Sequence, residues 1–233
     1  MAEVITLEDV LAAVIESGLE LKNVPEQFLT PEVCFEAVKR NGYALEFVPE
    51  KLRTEESCLE AVKNSGFALA NVPDELRTVE LCLEAVKEDG WALEFVPDEL
   101  RTVELCLEAV KESGAALEYV PDEFRTAEFC LEAVKNSDGD GFILSHVPYK
   151  HRTSKLCLIA VKRRGGMNLG YVPYKLRTAK LCLEAVKNSD DYGDVLARVP
   201  FKLRAQIEAA LKNKQTRKKK KDTVGQEQEL LFP

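Results

Sequence analysis

The sequence predicts an all-α protein, a tandem-repeat solenoid of about eight repeats of 24–27 residues, each with one longer helix and short helical turns. The dipeptide Val-Pro recurs eight times between residues 24 and 200, at intervals of 24 residues that lengthen three times to 25 or 27. The seven Cys residues lengthen their spacing at the same places, and a Thr opens each repeat. A fixed period of this length is typical of repeat architectures.

One repeat, residues 78–101, shows how the elements are encoded. Thr78 is a good N-cap, because its hydroxyl accepts a hydrogen bond from an amide of the first helical turn, and strong helix formers follow it. Gly90 is predicted to end a helix of about ten residues as a left-handed cap, and Gly165 has this place in a later repeat. A second short helix is expected at Ala92–Phe95, and Pro97 ends it and opens a further single turn.

The long helix of each repeat is predicted to be buried on most sides. Its apolar residues surround it except along one polar stripe, Glu80, Glu84 and Lys87. A single repeat cannot bury such a helix, whereas stacked neighbours can. Every repeat also has Ala followed by Val in this helix, and a row of small Ala residues permits close approach between helices.

The two ends depart from the pattern, as terminal repeats do. Val10 stands where later repeats have Cys, and residues 205–212 begin a ninth helix that lacks both the Cys and the Ala-Val pair. We therefore predict a partial C-terminal capping helix and assign residues 1–212 to the solenoid. Residues 213–233 lose the periodicity and are predicted to be a disordered, lysine-rich tail.

A leucine-rich repeat is the alternative architecture, since its period is 20–29 residues. That repeat needs a strand of alternating leucines. The apolar segments here are rich in Ala, Glu and Lys and carry helix-capping residues. The pattern favours the helical solenoid.

The repeats resemble a family of bacteria and large viruses known as domain of unknown function 4116. The motifs that carry the resemblance are Leu81-Cys-Leu-Glu-Ala-Val-Lys87 and Ala92-Leu-Glu-Phe-Val-Pro97, with counterparts over about residues 6–204. The resemblance implies a solenoid of short helices. It brings no catalytic residues and no settled function.

The net charge of −8 hides two halves of opposite sign. Residues 1–140 carry 12 Lys and Arg against 32 Asp and Glu, whereas residues 141–233 carry 20 against 8. From residue 147 onward, Pro-Asp-Glu turns are replaced by Pro-Tyr-Lys and Pro-Phe-Lys turns. Halves of opposite potential are expected to select different partners.

The basic half supplies the candidate polyanion-binding residues. An aromatic ring beside a cation at a repeated position suits nucleic acid, by stacking and phosphate contact, and also suits an acidic protein. The lysine run at 212–221 has three interpretations, which are a nuclear address, a hook for polyanions and a solvated tail. The candidate residues are Tyr149, Lys150, Tyr174, Lys175, Lys202, Arg217, Lys218, Lys219, Lys220 and Lys221.

Other conspicuous residues are expected to be structural. Cys residues on helices about 8–10 Å apart are too distant for a disulfide or a shared zinc ion, so we predict reduced, buried thiols. Cys157 with His151 is a weak candidate for a nucleophile and its base, and the loop 138–141 lacks the remaining ligands of a calcium site. The Arg before each Thr is suited to gripping phosphates, but we expect it to pair with Glu residues of its own or a neighbouring repeat.

The leading functional hypothesis is a non-enzymatic protein-interaction scaffold with an acidic and a basic half. The alternative is nucleic-acid or other polyanion binding through the basic half and the tail. No acid–base pair, phosphate loop or metal cluster stands out from the repeats, so we predict no catalytic residue, cofactor or metal. The chain has no apolar run long enough to span a membrane and no secretory signal, which favours the cytoplasm, or the nucleus in a eukaryotic cell.

Overall fold

The computed structural model describes residues 6–137, 142–189 and 192–212 and confirms the tandem-repeat, all-α architecture. These residues form helices and turns without any strand, which rules out a leucine-rich repeat there. None of the helices they form is both long and apolar enough to cross a membrane. The chain divides into two compact units, Met1–Asp138 and Gly139–Pro233.

The α-helices are α1 Leu7–Glu16, α2 Pro31–Arg40, α3 Glu55–Asn64, α4 Val79–Glu88, α5 Val103–Glu112 and α6 Ala127–Lys135 in the first unit, and α7 Ile143–His146, α8 Ser154–Leu169, α9 Ala179–Lys187, α10 Tyr192–Arg198 and α11, residues 201–212, in the second. In the first unit, a 3₁₀ helix of six residues follows each of the first five helices, as at Gly90–Phe95. A 3₁₀ turn of three residues, such as Asp98–Leu100, then leads to the next Thr.

The first unit has two layers. The long helices α1–α6 pack against one another in sequence, and the six-residue 3₁₀ helices form a second layer packed on them. The core between the layers consists of the periodic Leu, Cys, Ala and Val side chains, which are buried in each repeat. Stacking thus buries the helix faces that a single repeat leaves exposed.

Threonine capping is confirmed along the chain. The hydroxyl of Thr78 accepts a hydrogen bond of 3.2 Å from the Leu81 amide, and Thr102 and Thr178 cap α5 and α9 in the same way. The residue has an extended backbone, with φ −84° and ψ 163° at Thr78. Each Thr therefore separates the preceding turn from the long helix.

The predicted left-handed glycine cap is wrong. The helix α4 is ended by Asp89, whose extended backbone has φ −147° and ψ 116°, and Gly90 is the first residue of the next 3₁₀ helix. A Cβ atom at Gly90 would collide with the carbonyl oxygen of Ala109 in the following repeat and would lie 2.8 Å from the Ser113 amide nitrogen. Glycine is required here because two backbones meet, not because of a positive φ.

Gly165 departs further from the prediction, because it lies inside α8 and does not end that helix. The repeat has one extra residue, and its second helical segment continues the first. Asn168, buried at 1% exposure, stands four residues before Val172, where other repeats have Ala. Its side chain accepts a hydrogen bond from the Leu144 amide at 3.1 Å and donates one to the Ala160 carbonyl at 3.3 Å, so it joins two successive repeats.

The C-terminal capping helix is present and begins earlier than predicted. Helix α11 runs without a break from residue 201 to residue 212. Ala205 stands at the position where other repeats have the capping Thr. Without a hydroxyl to hold the extended N-cap conformation, the turn after Pro200 and the last helix merge into one.

The contact between Gly90 and Ala109 predicts the effect of a single methyl group. We expect Gly90→Ala to lower the free energy of unfolding by about 1–3 kcal/mol, because the neighbouring atoms are backbone and cannot rotate away. Urea unfolding followed by circular dichroism measures this change. In the control Gly170→Ala, the nearest atom is the movable end of the Arg198 side chain, and we expect a change below about 0.5 kcal/mol. Equal stability of Gly90→Ala and the unaltered protein would show that the repeats do not depend on this close approach.

Candidate interaction surface

The turn between each proline and the following arginine presents two outward positions. In three repeats these positions form the acidic edge, which consists of Asp74, Glu75, Asp98, Glu99, Asp122 and Glu123. In the three last repeats they form the basic edge, which consists of Tyr149, Lys150, Tyr174, Lys175, Phe201 and Lys202. The backbone is nearly the same in both, with φ and ψ of −54° and 141° at Pro97 and −53° and 138° at Pro148. The two edges therefore differ mainly in their side chains.

The arginine behind each turn binds backbone carbonyls. In Arg101, Nε donates to the Val96 carbonyl at 2.9 Å, and one terminal nitrogen donates to the Tyr119 carbonyl of the next repeat at 3.0 Å. Arg53, Arg77, Arg152 and Arg177 make the corresponding pairs of bonds. The expectation that these arginines pair mainly with Glu is thus wrong. Their guanidinium groups are used to join repeats.

The first position of each turn covers this arginine in two different ways. Asp98 forms an ion pair of 2.9 Å with Arg101, and Asp74 and Asp122 do the same in their repeats. In the second unit an aromatic ring replaces the carboxylate, and the guanidinium carbon of Arg152 lies 5.9 Å from the centre of the Tyr149 ring. Tyr174 and Phe201 lie equally far from Arg177 and Arg204. The sequence analysis did not anticipate these cation–π contacts.

Both edges remain open to solvent. The Asp98 side chain is 86% exposed despite its ion pair, and Tyr149 and Phe201 are 64% and 85% exposed. Glu75, Glu99 and Glu123 are exposed on the acidic edge, as are Lys150, Lys175 and Lys202 on the basic edge. Among the ion pairs between described residues, none includes these six side chains. Each edge thus carries charge of one sign that is available to a partner.

The long helices, by contrast, carry charges that neutralise one another. Lys87 and Glu84 are 2.8 Å apart, and the pairs Lys111–Glu108 and Lys135–Glu132 repeat this arrangement. The hydrogen bond from Lys87 lowers the pKa of the Glu84 carboxyl, and burial opposes that effect weakly. The helix surface is therefore ordinary paired surface, and the unpaired charge is concentrated on the turns.

A second register position changes sign together with the turns. The second helical residue is Glu in α4, α5 and α6, but it is Lys155 in α8 and Lys180 in α9. These residues are exposed and lie one turn from the capping Thr. The change could have been found by aligning the repeats. It extends each edge from the turn onto the beginning of the next helix.

Open grooves separate the acidic turns. One groove, of about 670 Å³, has Phe95, Val96 and Pro97 along its wall and carboxylates of Asp74, Glu94 and Glu99 around it. A second groove, of about 480 Å³, has the equivalent lining one repeat further on, including Tyr119, Pro121 and Glu123. Such a groove offers an apolar wall beside a negatively charged rim.

The remaining candidate residues do not join this surface. Arg217, Lys218, Lys219, Lys220 and Lys221 lie outside the described residues, and so does the loop 138–141. His151 ends the turn Tyr149–His151, whereas Cys157 is fully buried in α8. Burial raises the pKa of the Cys157 thiol to about 11, which opposes formation of a nucleophilic thiolate. In the part of the chain that the structure describes, no cluster of His, Cys, Asp or Glu is arranged to hold a metal ion.

The fold and the repeated turns define a helical-repeat protein whose surface varies at fixed register positions. The family model "Domain of unknown function (DUF4116)" matches residues 7–53, 30–77, 54–101, 78–125 and 102–152. These overlapping matches cover more than half of the chain, and the protein belongs to this family. No curated protein and no solved structure matches the chain.

The buried cysteines predict a pH dependence of stability. Burial raises the pKa of Cys82, Cys106 and Cys157 from 9.0 to about 11, so the unfolded chain loses these protons first. The resulting stability is complete below pH 9 and is lost as the pH rises to about 11, by about 2–3 kcal/mol per thiol. Urea unfolding between pH 8 and about 11 measures the slope.

The matched variant replaces these three residues with Val, which the first repeat has at this position as the buried Val10. We expect a clearly shallower decline with pH in this variant, because Tyr and Lys still titrate and the thiols do not. An identical decline in both proteins would contradict the burial of the thiols.

Proposed function

We propose that this protein is a non-enzymatic scaffold that binds other proteins through the turn edges of its repeats, with the acidic edge selecting basic segments and the basic edge selecting acidic ones. One observation carries the proposal. The arginines, glycines and buried side chains of each repeat are used for stacking, while the turn positions are exposed, of one sign and without ion pairs to described residues. Such a surface is suited to partner selection by charge complementarity.

The lysines at the helix starts support a selected function for the charge. Helices favour acidic residues in their first turn, since the macrodipole is positive there, and a cation is unfavourable by about 0.3–1 kcal/mol. The first-unit helices follow this rule, whereas α8 and α9 have no acid in the first turn and carry Lys155 and Lys180. A local rule broken at the same position in two repeats is typical of a functional surface.

The chemistry of the described residues also favours binding over catalysis. The thiols have pKa values raised by burial, so they are poor nucleophiles at neutral pH. The grooves at the turns are open and lined by carboxylates of exposed residues rather than by a convergent set of polar groups. These features suit side chains of a protein partner better than a small substrate.

Two charge-reversal variants test the proposal. In the acidic-edge variant, Glu75, Glu99 and Glu123 are replaced by Lys, and in the basic-edge variant Lys150, Lys175 and Lys202 are replaced by Glu. We expect the first to weaken binding of a fluorescent lysine-rich peptide about tenfold and to spare a glutamate-rich peptide, and the second to do the reverse. Fluorescence anisotropy measures both affinities.

The control variant replaces Glu16, Glu88 and Glu112 by Lys at the far ends of α1, α4 and α5. It has the same net charge as the acidic-edge variant, so it separates the edge from the overall charge. Equal weakening by the control and acidic-edge variants, or no binding of either peptide by the unaltered protein, would overturn the proposal.

Polyanion binding is the second candidate function, and the exposed rings beside Lys150, Lys175 and Lys202 favour it, because aromatic rings stack on bases. We expect the intact protein to retard a mixed-sequence single-stranded DNA in a gel at low salt. Loss of three phosphate contacts in the basic-edge variant should reduce the slope of log affinity against log salt by about 2. Absence of a shift at low salt excludes this function, and tight binding that resists salt excludes its electrostatic mechanism.

A further inference from the structure

We propose that the partner of the acidic edge is the basic edge of a second copy of this chain, so that copies associate head to tail. The inference rests on the proposed function, since it names one partner for the edges described above. It follows from three kinds of match between the edges, in number and spacing, in charge, and in shape.

The number and spacing match because both edges are built on the same repeat. Three consecutive turns carry Asp-Glu, and three consecutive turns carry an aromatic residue followed by Lys. The proline and arginine torsions that shape the turns agree, with φ and ψ of −76° and 62° at Arg125 and −75° and 68° at both Arg152 and Arg177. Two surfaces with the same repeat interval can align turn by turn, whereas an unrelated partner must match that interval by chance.

The charges match position by position. Glu75, Glu99 and Glu123 occupy the second turn position, and so do Lys150, Lys175 and Lys202. At the starts of the long helices, Glu80, Glu104 and Glu128 correspond to Lys155 and Lys180 in the later repeats. Alignment of the two edges therefore places several carboxylates beside ammonium groups without burying an unpaired charge.

The shapes match through the aromatic rings. Tyr149, Tyr174 and Phe201 are among the most exposed large apolar side chains, and burial of such rings is favourable. Each groove between the acidic turns has a partly apolar wall, formed by residues such as Phe95 and Pro97 in the larger one. Its carboxylate rim suits a ring that is followed directly by Lys. An aromatic ring in the groove and a lysine on its rim satisfy both groups at once.

The assembly has a defined symmetry. The acidic edge of one copy contacts the basic edge of the next, so the contact is heterologous and leaves one edge free at each end. Association should therefore continue beyond a dimer and form an open chain, unless the rotation between copies closes a ring. Because the contact is electrostatic and exposed, it should weaken strongly with salt.

Sedimentation velocity of the full chain tests this inference. At about 0.03 M ionic strength we expect the average mass to rise with protein concentration past that of a dimer, and at about 0.5 M we expect a monomer. The acidic-edge and basic-edge variants should each remain monomeric at low salt, because their two edges then have the same sign. The control variant with Lys at positions 16, 88 and 112 should associate like the unaltered protein.

An equimolar mixture of the acidic-edge and basic-edge variants gives the decisive result. One variant has two positive edges and the other has two negative edges, so the mixture should recover association that neither variant shows alone. The recovery depends on the edges, since neither variant changes the lysine-rich tail.

Three outcomes would overturn the inference: a monomeric unaltered protein at low salt, association of the basic-edge variant as strong as that of the unaltered protein, and a mixture that remains monomeric. In the first case, retained peptide binding would leave the scaffold function standing, and DNA binding would assign the basic edge to polyanions. Loss of peptide binding with intact self-association would instead reject foreign protein partners and keep the second copy.

Discussion

The close approach between each glycine and the next alanine sets the geometry on which the rest of the structure depends. Gly42 lies against the carbonyl of Ala61, and Gly66, Gly90 and Gly114 have the same contact one repeat further on each time. This contact brings the second layer of one repeat onto the long helix of the next. Because packed interiors deform little, it also determines the interval between turns along the first unit. Any surface built on the turns inherits that interval.

The arginine clamps complete the stacking and leave the turn positions available. Each guanidinium bonds carbonyls of its own repeat and of the following one, as Arg101 does with Val96 and Tyr119. A conspicuous row of arginines is thereby removed from partner binding. The residue that covers the guanidinium is free to vary between Asp and an aromatic ring, since an ion pair and a cation–π contact both stabilise the cation. The fold thus tolerates reversal of the edge charge.

Separation of stacking residues from surface residues is what makes a repeat fold a versatile binding surface. Buried Cys, Ala and Val residues recur in nearly every repeat, whereas the turn changes from Asp-Glu to Tyr-Lys without a change of backbone. The charge reversal lies close to the boundary between the two compact units, at residues 138 and 139. Each unit therefore carries one kind of edge, and complementary edges occur in one chain.

By itself, the sequence determined the repeat length, the helical class, the threonine caps and the buried Cys, Ala and Val positions. Periodicity and capping are local properties that residue types report directly. It also located the two charged edges, because the turn residues are contiguous in the chain. Only the tertiary structure decided what Gly90 and Arg101 do, since their partners are backbone carbonyls of another repeat and carbonyls leave no trace in a sequence. The same reason explains the fused helix α8, where Asn168 bonds to the backbone of two repeats and one extra residue changes the path of the chain.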